Sequence, residues 1–199
     1  VSSIGSPIGK IKITDPFEPH LNQLAHIIEL AKLFETDYIR VFSFYIPQGE
    51  EPAAYKDEVI RRMKAMTALA EKEDVILLHE NEKEIYGDTA PRCKEILDAV
   101  ASPNLRAVFD PANFVECGQE TYPAAYELLK DYVVYIHIKD AVAHGKIVPA
   151  GYGSGHIEEL LRAFEQAGYR GFLSLEPHLG HFAGLDALQS DTTVVNEDK

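Results

Sequence analysis

The chain has 199 residues, 46% of them apolar and 26% charged, an ordinary balance for one sizeable globular domain, which we place at residues 1–199. A formal net charge of −13 and the lack of any Lys/Arg-rich run argue against partners such as nucleic acid or an anionic membrane. No apolar stretch is long enough to span a membrane. Two cysteines, Cys93 and Cys117, indicate neither a metal motif nor a disulfide framework, which fits a cytoplasmic location.

Short runs rich in β-branched and aromatic residues alternate along the chain with amphipathic stretches. Six such runs predict strands, at residues 1–4, 38–45, 75–80, 105–110, 133–138 and 172–176. The stretches between them carry apolar residues at helical spacing. Thr89 and Thr121 are candidate caps for helices that begin near Pro91 and Pro123. Gly168 follows the last periodic stretch and is typical of the position just after a helix.

The alternation of helices with almost continuously apolar strands predicts a parallel sheet covered by helices. Two architectures fit this pattern, an open doubly wound sheet and a (β/α)8 barrel. An intact barrel usually needs about 250 residues. Six strands therefore predict either a complete open sheet or a barrel that lacks two units.

Four of the predicted strands end in residues that can bind a metal ion: Glu80, Asp110, His137 and Glu176. The carboxyl ends of parallel strands meet at one rim, where α/β proteins bind ligands. Taken singly, each residue also has a structural interpretation, as a turn residue, a hydrogen-bonded core histidine or a helix cap. Taken together, the three carboxylates would repel one another and resist burial, and a divalent cation removes that difficulty. The set suits Mn²⁺, Mg²⁺, Co²⁺ or Zn²⁺ without choosing among them.

The motifs LLHENE, AVFDPANF, YIHIKDA and LSLEPHL occur in this order, with GYGSGH between the last two. Over residues 1–182 they resemble the xylose-isomerase-like TIM-barrel superfamily of sugar isomerases and epimerases. The resemblance implies a TIM (β/α)8 barrel that lacks its first two βα units. It also implies one divalent metal ion, manganese among the candidates, held by Glu80, Asp110, His137 and Glu176. A barrel open by two units exposes strand edges, so we expect a homo-oligomer.

The resemblance further implies an isomerase or epimerase of a small ketose or related sugar or cyclitol, acting by proton transfer through an enediolate. Glu80 and Glu176 would exchange the protons. The substrate would be bound by Asn113, Lys139, His178 and Lys10. Two alternatives are an inosose-dehydratase-like lyase and a non-catalytic truncated barrel that binds sugar or metal. A nuclease, like the abasic-site endonucleases of the same superfamily, is disfavoured by the net charge of −13.

Three features have two interpretations each. Arg40 alternates with Phe42, and if that face of the strand points inward, Arg40 needs an acidic partner. Lys10 in IGSPIGK either reaches the substrate or lies in a solvent loop. In GYGSGH, the backbone at Gly153 and Gly155 either approaches an anion at the start of the following helix or forms a packing loop.

Overall fold

A computed structural model describes residues 1–143, 145–176 and 178. Six of its strands form one parallel sheet: β1 (Ile4–Gly5), β2 (Tyr38–Val41), β3 (Ile76–Glu80), β4 (Leu105–Phe109), β5 (Val133–Ile138) and β8 (Phe172–Leu175). All six lie within or beside the predicted runs. Two further strands, β6 (Asp140–Val142) and β7 (Lys146–Val148), form an antiparallel hairpin that the sequence pattern did not predict.

Helices connect the strands of the sheet: α1 (Glu18–Leu33), α2 (Lys56–Lys72), α3 (Ala90–Val100), α4 (Pro111–Glu116), α5 (Tyr126–Leu129) and α6 (Ile157–Gln166). A 3₁₀ turn at Pro52–Tyr55 precedes α2, and a wide turn at Thr121–Ala125 precedes α5. None of the described helices combines the length and the apolarity that crossing a bilayer requires.

The strand order decides between the two predicted architectures. The strands of this sheet are arranged in chain order, β1-β2-β3-β4-β5-β8, with the β6–β7 hairpin inserted between the last two, and every adjacent pair is parallel. A doubly wound sheet would reverse its strand order at a switch point, so that alternative is wrong. A singly wound parallel sheet that curls in one direction is part of a β/α barrel, and the barrel prediction is confirmed.

The sheet separates two apolar layers, because side chains alternate between its faces. The larger layer packs the outer face against the helices and includes Ile39, Leu77 and Phe109. A small inner cluster consists of Leu78, Val108 and Tyr135, from three neighbouring strands. Each inner residue comes two positions before a predicted metal ligand, so the inner cluster forms the floor beneath the rim.

The helix ends agree with the sequence pattern in one place and differ in two. Gly168 has φ +80°, as expected of a residue just past α6. Thr89 stands at the N-terminal cap position of α3, but its side chain makes no capping hydrogen bond. The Thr121 hydroxyl donates to the carbonyl of Gly155 at 2.9 Å, so it ties two loops together and caps nothing.

Candidate metal centre

Glu80, Asp110, His137 and Glu176 converge at the carboxyl ends of β3, β4, β5 and β8. Each offers one ligand atom, and these four atoms lie within 4.8 Å of one another. Two atoms bound to the same ion at about 2.1–2.4 Å lie no more than about 4.2–4.8 Å apart. The first three side chains are buried and Glu176 is partly exposed. The spacing and the donor types therefore fit a single divalent ion. Glu176 is the member of the group that solvent can reach.

His137 lies between the three carboxylates. Its Nδ1 is 3.1 Å from Glu80 Oε1 and 3.4 Å from Asp110 Oδ2, and its Nε2 is 3.4 Å from Glu176 Oε1. Since both ring nitrogens face carboxylate oxygens, a neutral ring would set a lone pair against a negative charge. Burial lowers the pKa of His137, but hydrogen bonds to Asp110 and Glu80 and the carboxylate charges outweigh it and raise this pKa to about 10. The imidazolium thus supplies a positive charge that a metal ion would replace.

We expect the metal-free chain to become less stable in alkaline solution, because His137 loses its stabilising proton there. The pKa of His137 is about 10 in the folded chain against 6.5 in the reference state, so its stabilising effect is complete below pH 6.5 and is lost as the pH rises towards 10. Urea unfolding with a chelator present should show this decline in the free energy of unfolding. Between about pH 6.5 and pH 8, below the range in which the buried thiols of Cys93 and Cys117 add their own decline, His137→Gln should show no such loss. An equal decline of both proteins within that range would contradict the assignment.

The two carboxylate oxygens of Asp110 have different partners, one in the backbone and one in the metal centre. Its Oδ1 accepts the backbone N–H of Asn113 at 3.0 Å and so caps α4. Its Oδ2 faces His137 and lies 3.5 Å from Lys139 Nζ. The structural and the ligand interpretations of Asp110 are therefore compatible, because each uses a different oxygen.

Glu80 has one oxygen that forms an ion pair but makes no hydrogen bond. Burial raises the pKa of Glu80, but the His137 hydrogen bond and the charges of His137, Arg40 and Lys139 lower it to about 2. Its Oε2 is buried 3.3 Å from Arg40 Nε, yet neither atom makes a hydrogen bond. A buried carboxylate oxygen without a hydrogen bond is costly, and a bound cation would reduce this cost. Arg40 therefore faces inward, and Glu80 is the acidic partner that an inward Arg40 requires.

Asn113 and Lys139 are both buried and bonded to each other. Asn113 Oδ1 accepts from Lys139 Nζ at 2.7 Å. Asn113 Nδ2 donates to the carbonyl of Asn81 at 2.8 Å and lies 3.4 Å from Glu80 Oε1. Burial lowers the pKa of Lys139, but the charges of Asp110 and Glu80 outweigh it and raise this pKa above its usual range. Lys139 is therefore a fixed ammonium beside the carboxylates.

Asn81 is a residue of the site that sequence reasoning missed. Its Nδ2 donates to the Asp110 carbonyl at 2.9 Å, and its Oδ1 accepts the Asp110 N–H at 3.0 Å. One buried amide thus fixes the backbone of a ligand residue on the neighbouring strand. Its place directly after Glu80 was the only available signal, because its partner lies 29 positions along the chain.

Replacing Asn81 with Ala should both destabilise the fold and weaken metal binding. The change leaves the buried N–H of Asp110 unpaired, at about 1–3 kcal/mol, and leaves the Asp110 carbonyl with the 3.4 Å bond from the Phe114 N–H. Calorimetry with Mn²⁺ and urea unfolding would measure the two effects. Asn104→Ala is a matched control, because Asn104 donates to the Val75 carbonyl at 2.8 Å, beside the start of β3 and away from the site. The control should lose stability and keep its metal affinity, and equal losses of affinity would contradict the assignment.

Lys10 and His178 lie near the rim. Lys10 Nζ is 3.3 Å from Glu82 Oε2 and 4.3 Å above the Phe42 ring, so Lys10 is held by its neighbours and is not a free surface lysine. Burial raises the pKa of Glu82, and the opposing effect of the Lys10 charge is too small to cancel this increase. His178 Nε2 is 3.8 Å from Glu176 Oε2. Like Asn81, Glu82 belongs to the surroundings of Glu80 and was not predicted from the sequence.

The anion at the glycine-rich loop is a side chain of the protein itself. Asp140 Oδ1 accepts the N–H groups of Ala141 and Gly155, and its Oδ2 accepts those of Gly151 and Gly153, each at 2.9 Å. A Cβ at Gly153 would overlap the Asp140 carboxylate. The packing interpretation of this loop is therefore correct, and the loop anchors the residue that follows Lys139.

Comparisons with known proteins agree with this geometry. The family model described as "Xylose isomerase-like TIM barrel" matches residues 1–192. A 3-dehydroshikimate dehydratase from Bacillus anthracis is 23% identical over 130 residues, which cover 65% of this chain and 46% of the relative. The chain thus spans about half the length of this curated relative.

Two solved structures share the fold. A D-tagatose 3-epimerase-like protein has a TM-score of 0.76 at 19% identity, covering 94% of this chain and 73% of its own. A xylose isomerase-like TIM barrel protein from Mycobacterium smegmatis, solved in complex with magnesium, has a TM-score of 0.74 at 20% identity, covering 94% and 69%. Since the matched model spans nearly the whole sequence, the chain belongs to the xylose isomerase-like TIM barrel family.

Proposed function

We propose that this chain is a divalent-metal-dependent isomerase or epimerase of a small polyhydroxy carbonyl compound, acting by proton transfer through an enediolate. The observation that carries the proposal is the group of four ligand atoms within 4.8 Å at the barrel rim. The protonated His137 supports it, because its positive charge stands where a metal ion would bind, and the Glu80 oxygen without a hydrogen bond has capacity for a ligand bond. The epimerase-like structural neighbour supports the reaction class.

The ion would be held by Glu80, Asp110, His137 and Glu176, and their oxygen-rich donor set suits Mn²⁺, Mg²⁺, Co²⁺ or Zn²⁺. When bound, it would hold the carbonyl and neighbouring hydroxyl oxygens of the substrate and stabilise the negative charge that develops as the α-proton leaves. His137 and Asp110 serve as ligands only. A cytoplasmic location and a homo-oligomeric assembly remain predictions from the sequence.

Glu80 and Glu176 carry the proton transfers. Glu80 ends β3 and Glu176 directly follows β8, and the two carboxylates contact different ring nitrogens of His137. A substrate bound at the ion would therefore meet two carboxylates from different directions. One glutamate takes the proton from the carbon next to the carbonyl. The other returns a proton to the neighbouring carbon, or to the opposite face of the same carbon in an epimerisation.

The charges of the site favour a substrate that is or becomes negative. Three carboxylates contribute −3, Arg40 and Lys139 contribute +2, and a divalent ion with a neutral His137 brings the sum to +1. Lys10 and Glu82 offset each other. A net positive site would stabilise an enediolate. Asn113, Lys139, His178 and Lys10 would orient the substrate hydroxyls, with Asn113 acting through Lys139, which it binds.

Dehydration is the second candidate, and two observations favour it. The curated relative is a dehydratase, and Lys139 places a buried ammonium beside the ligands, 3.5 Å from Asp110 Oδ2. The first step would be the same proton abstraction. The β-hydroxyl would then leave as water after receiving a proton from Lys139, and a double bond would form between the α- and β-carbons.

Proton exchange in heavy water distinguishes these reactions. Metal-loaded protein would be incubated with a panel of ketoses, inososes and 3-dehydroshikimate and followed by NMR. An isomerase or epimerase gives a product of unchanged composition with deuterium at the carbon next to the carbonyl, whereas a dehydratase gives a product that has lost water. Turnover without deuterium entry would indicate hydride shift and contradict the two-glutamate scheme. Metal binding without any turnover would favour the non-catalytic barrel.

A further inference from the structure

His20 is a buried histidine outside the metal centre whose two ring nitrogens have different partners. It lies in the first turn of α1 and is 6% exposed. Its Nε2 is 2.7 Å from the backbone N–H of Gly9, and its Nδ1 is 3.2 Å from Gln23 Oε1. The Gly9 N–H can only donate, so Nε2 accepts and Nδ1 carries the proton. The bond to Gly9 therefore requires a neutral ring.

Residues 6–10, which follow β1 and are called the Gly9 loop below, pack against the end of β2. Gly9 has φ +92°, and a Cβ there would overlap the Phe42 carbonyl. The carbonyls of Ile8 and Gly9 accept the N–H groups of Phe42 and Phe44 at 2.7 and 2.9 Å. His20 supplies a contact from the helix side, so the loop is held between α1 and β2.

Lys10 is the last residue of the Gly9 loop and connects it to the metal centre. Its ammonium stands over the Phe42 ring and pairs with Glu82, two residues after the ligand Glu80. Its own N–H donates to the Pro7 carbonyl at 2.9 Å. A displacement of Gly9 would therefore move Lys10 as well.

The surroundings of His20 favour its neutral form. Burial lowers the pKa of His20, the Gln23 hydrogen bond raises it, and the charge of Arg62 on α2 lowers it, with a net decrease. Arg62 in turn pairs with Glu58 and donates to the Asp15 carbonyl. The Phe44 ring covers another side, edge-on at 6.4 Å. The ring is thus an acceptor at neutral pH and loses that capacity in acid.

We propose that His20 is a positioning residue that holds the Gly9 loop, and with it Lys10, at the rim of the metal centre while its ring is neutral. Protonation of Nε2 turns the acceptor into a donor that faces another donor, so acidification breaks the contact of the loop with α1 and leaves its backbone bonds to Phe42 and Phe44. The contact of Lys10 with a substrate rests on the proposed function. The link between His20 and Lys10 is independent of the proposed function.

Amide hydrogen exchange at Gly9 tests the link without any substrate. In the wild-type chain, the protection factor of the Gly9 amide should fall about fivefold or more between about pH 7.5 and pH 5, the effect of losing one hydrogen bond. His20→Gln keeps an acceptor that does not titrate, so its protection should be independent of pH. His26→Gln on the same helix is the matched control, because His26 is 69% exposed in its side chain. It should behave as the wild type.

A second variant follows Lys10 itself. His20→Phe keeps a ring and removes the acceptor, so the rate at which acetic anhydride modifies Lys10 at neutral pH should rise several-fold. If turnover is found, His20→Phe should raise KM more than it lowers kcat. Identical pH profiles of wild type and His20→Gln would overturn the proposal, as would an unchanged Lys10 reactivity in a folded His20→Phe. If no substrate turns over, the proposed function fails while the exchange result still decides this inference.

Discussion

Glu80→Gln and Glu176→Gln should each lower the turnover rate about 100-fold or more, the usual size of a general acid–base contribution. An amide keeps an oxygen that can face an ion but cannot accept the substrate proton. Each variant should therefore retain some metal binding, and calorimetry with Mn²⁺ should detect it. Steady-state rates on whichever substrate exchanges deuterium would measure the loss.

The control for these variants is Glu116→Gln. The Glu116 side chain is 14% exposed and lies 3.6 Å from Lys83 Nζ, outside the metal centre. The turnover rate of Glu116→Gln should stay close to that of the wild type. A double variant of Glu80 and Glu176 that turned over as fast as the wild type would remove both residues from the chemistry.

Asp140→Asn should destabilise the fold by about 2–6 kcal/mol. Asn is nearly isosteric, but its NH₂ group replaces an oxygen that accepts two backbone N–H groups at 2.9 Å. Two donors are then left unpaired in or next to a buried site, at about 1–3 kcal/mol each. Urea unfolding would measure the loss.

Asp98→Asn is the matched control for the loop anchor. Asp98 pairs with Lys94 at 2.7 Å, and its side chain is 49% exposed, so the control should cost less than about 1 kcal/mol. Equal losses in the two variants would show that Asp140 does not anchor the loop.

The four strand ends could be predicted because two simple rules act together. Side chains alternate along a strand, and the carboxyl ends of parallel strands meet at one rim. Leu78 and Glu80 illustrate the first rule, since the apolar residue lies in the floor and the acid two positions later lies at the rim. The order of the strands in the sheet could not be predicted from the sequence, because open sheets and barrels share the same alternation of strands and helices.

Contacts between distant segments could not be predicted. Arg40 lies on a strand with apolar residues on both faces, so only its approach to Glu80 shows which way it points. Asn81 and Glu82 find their partners 29 and 72 positions away. Thr121 is a good cap by residue type, but the Gly155 carbonyl is a competing partner that the local sequence does not reveal.

The Gly-rich loop offered a signal that was open to misinterpretation. Glycines at every second position expose backbone N–H groups, and such groups attract an anion. The anion is the Asp140 carboxylate, between 11 and 15 positions earlier in the chain. An acid directly after a ligand motif and shortly before such a loop is therefore a candidate anchor in its own right.

Anomalous diffraction from crystals grown with Mn²⁺ would locate the ion itself. We expect one strong peak, with one atom each of Glu80, Asp110, His137 and Glu176 within about 2.0–2.4 Å of it. No peak among these four residues, with His137 still bonded to the three carboxylates at saturating Mn²⁺, would show that they do not form a metal site.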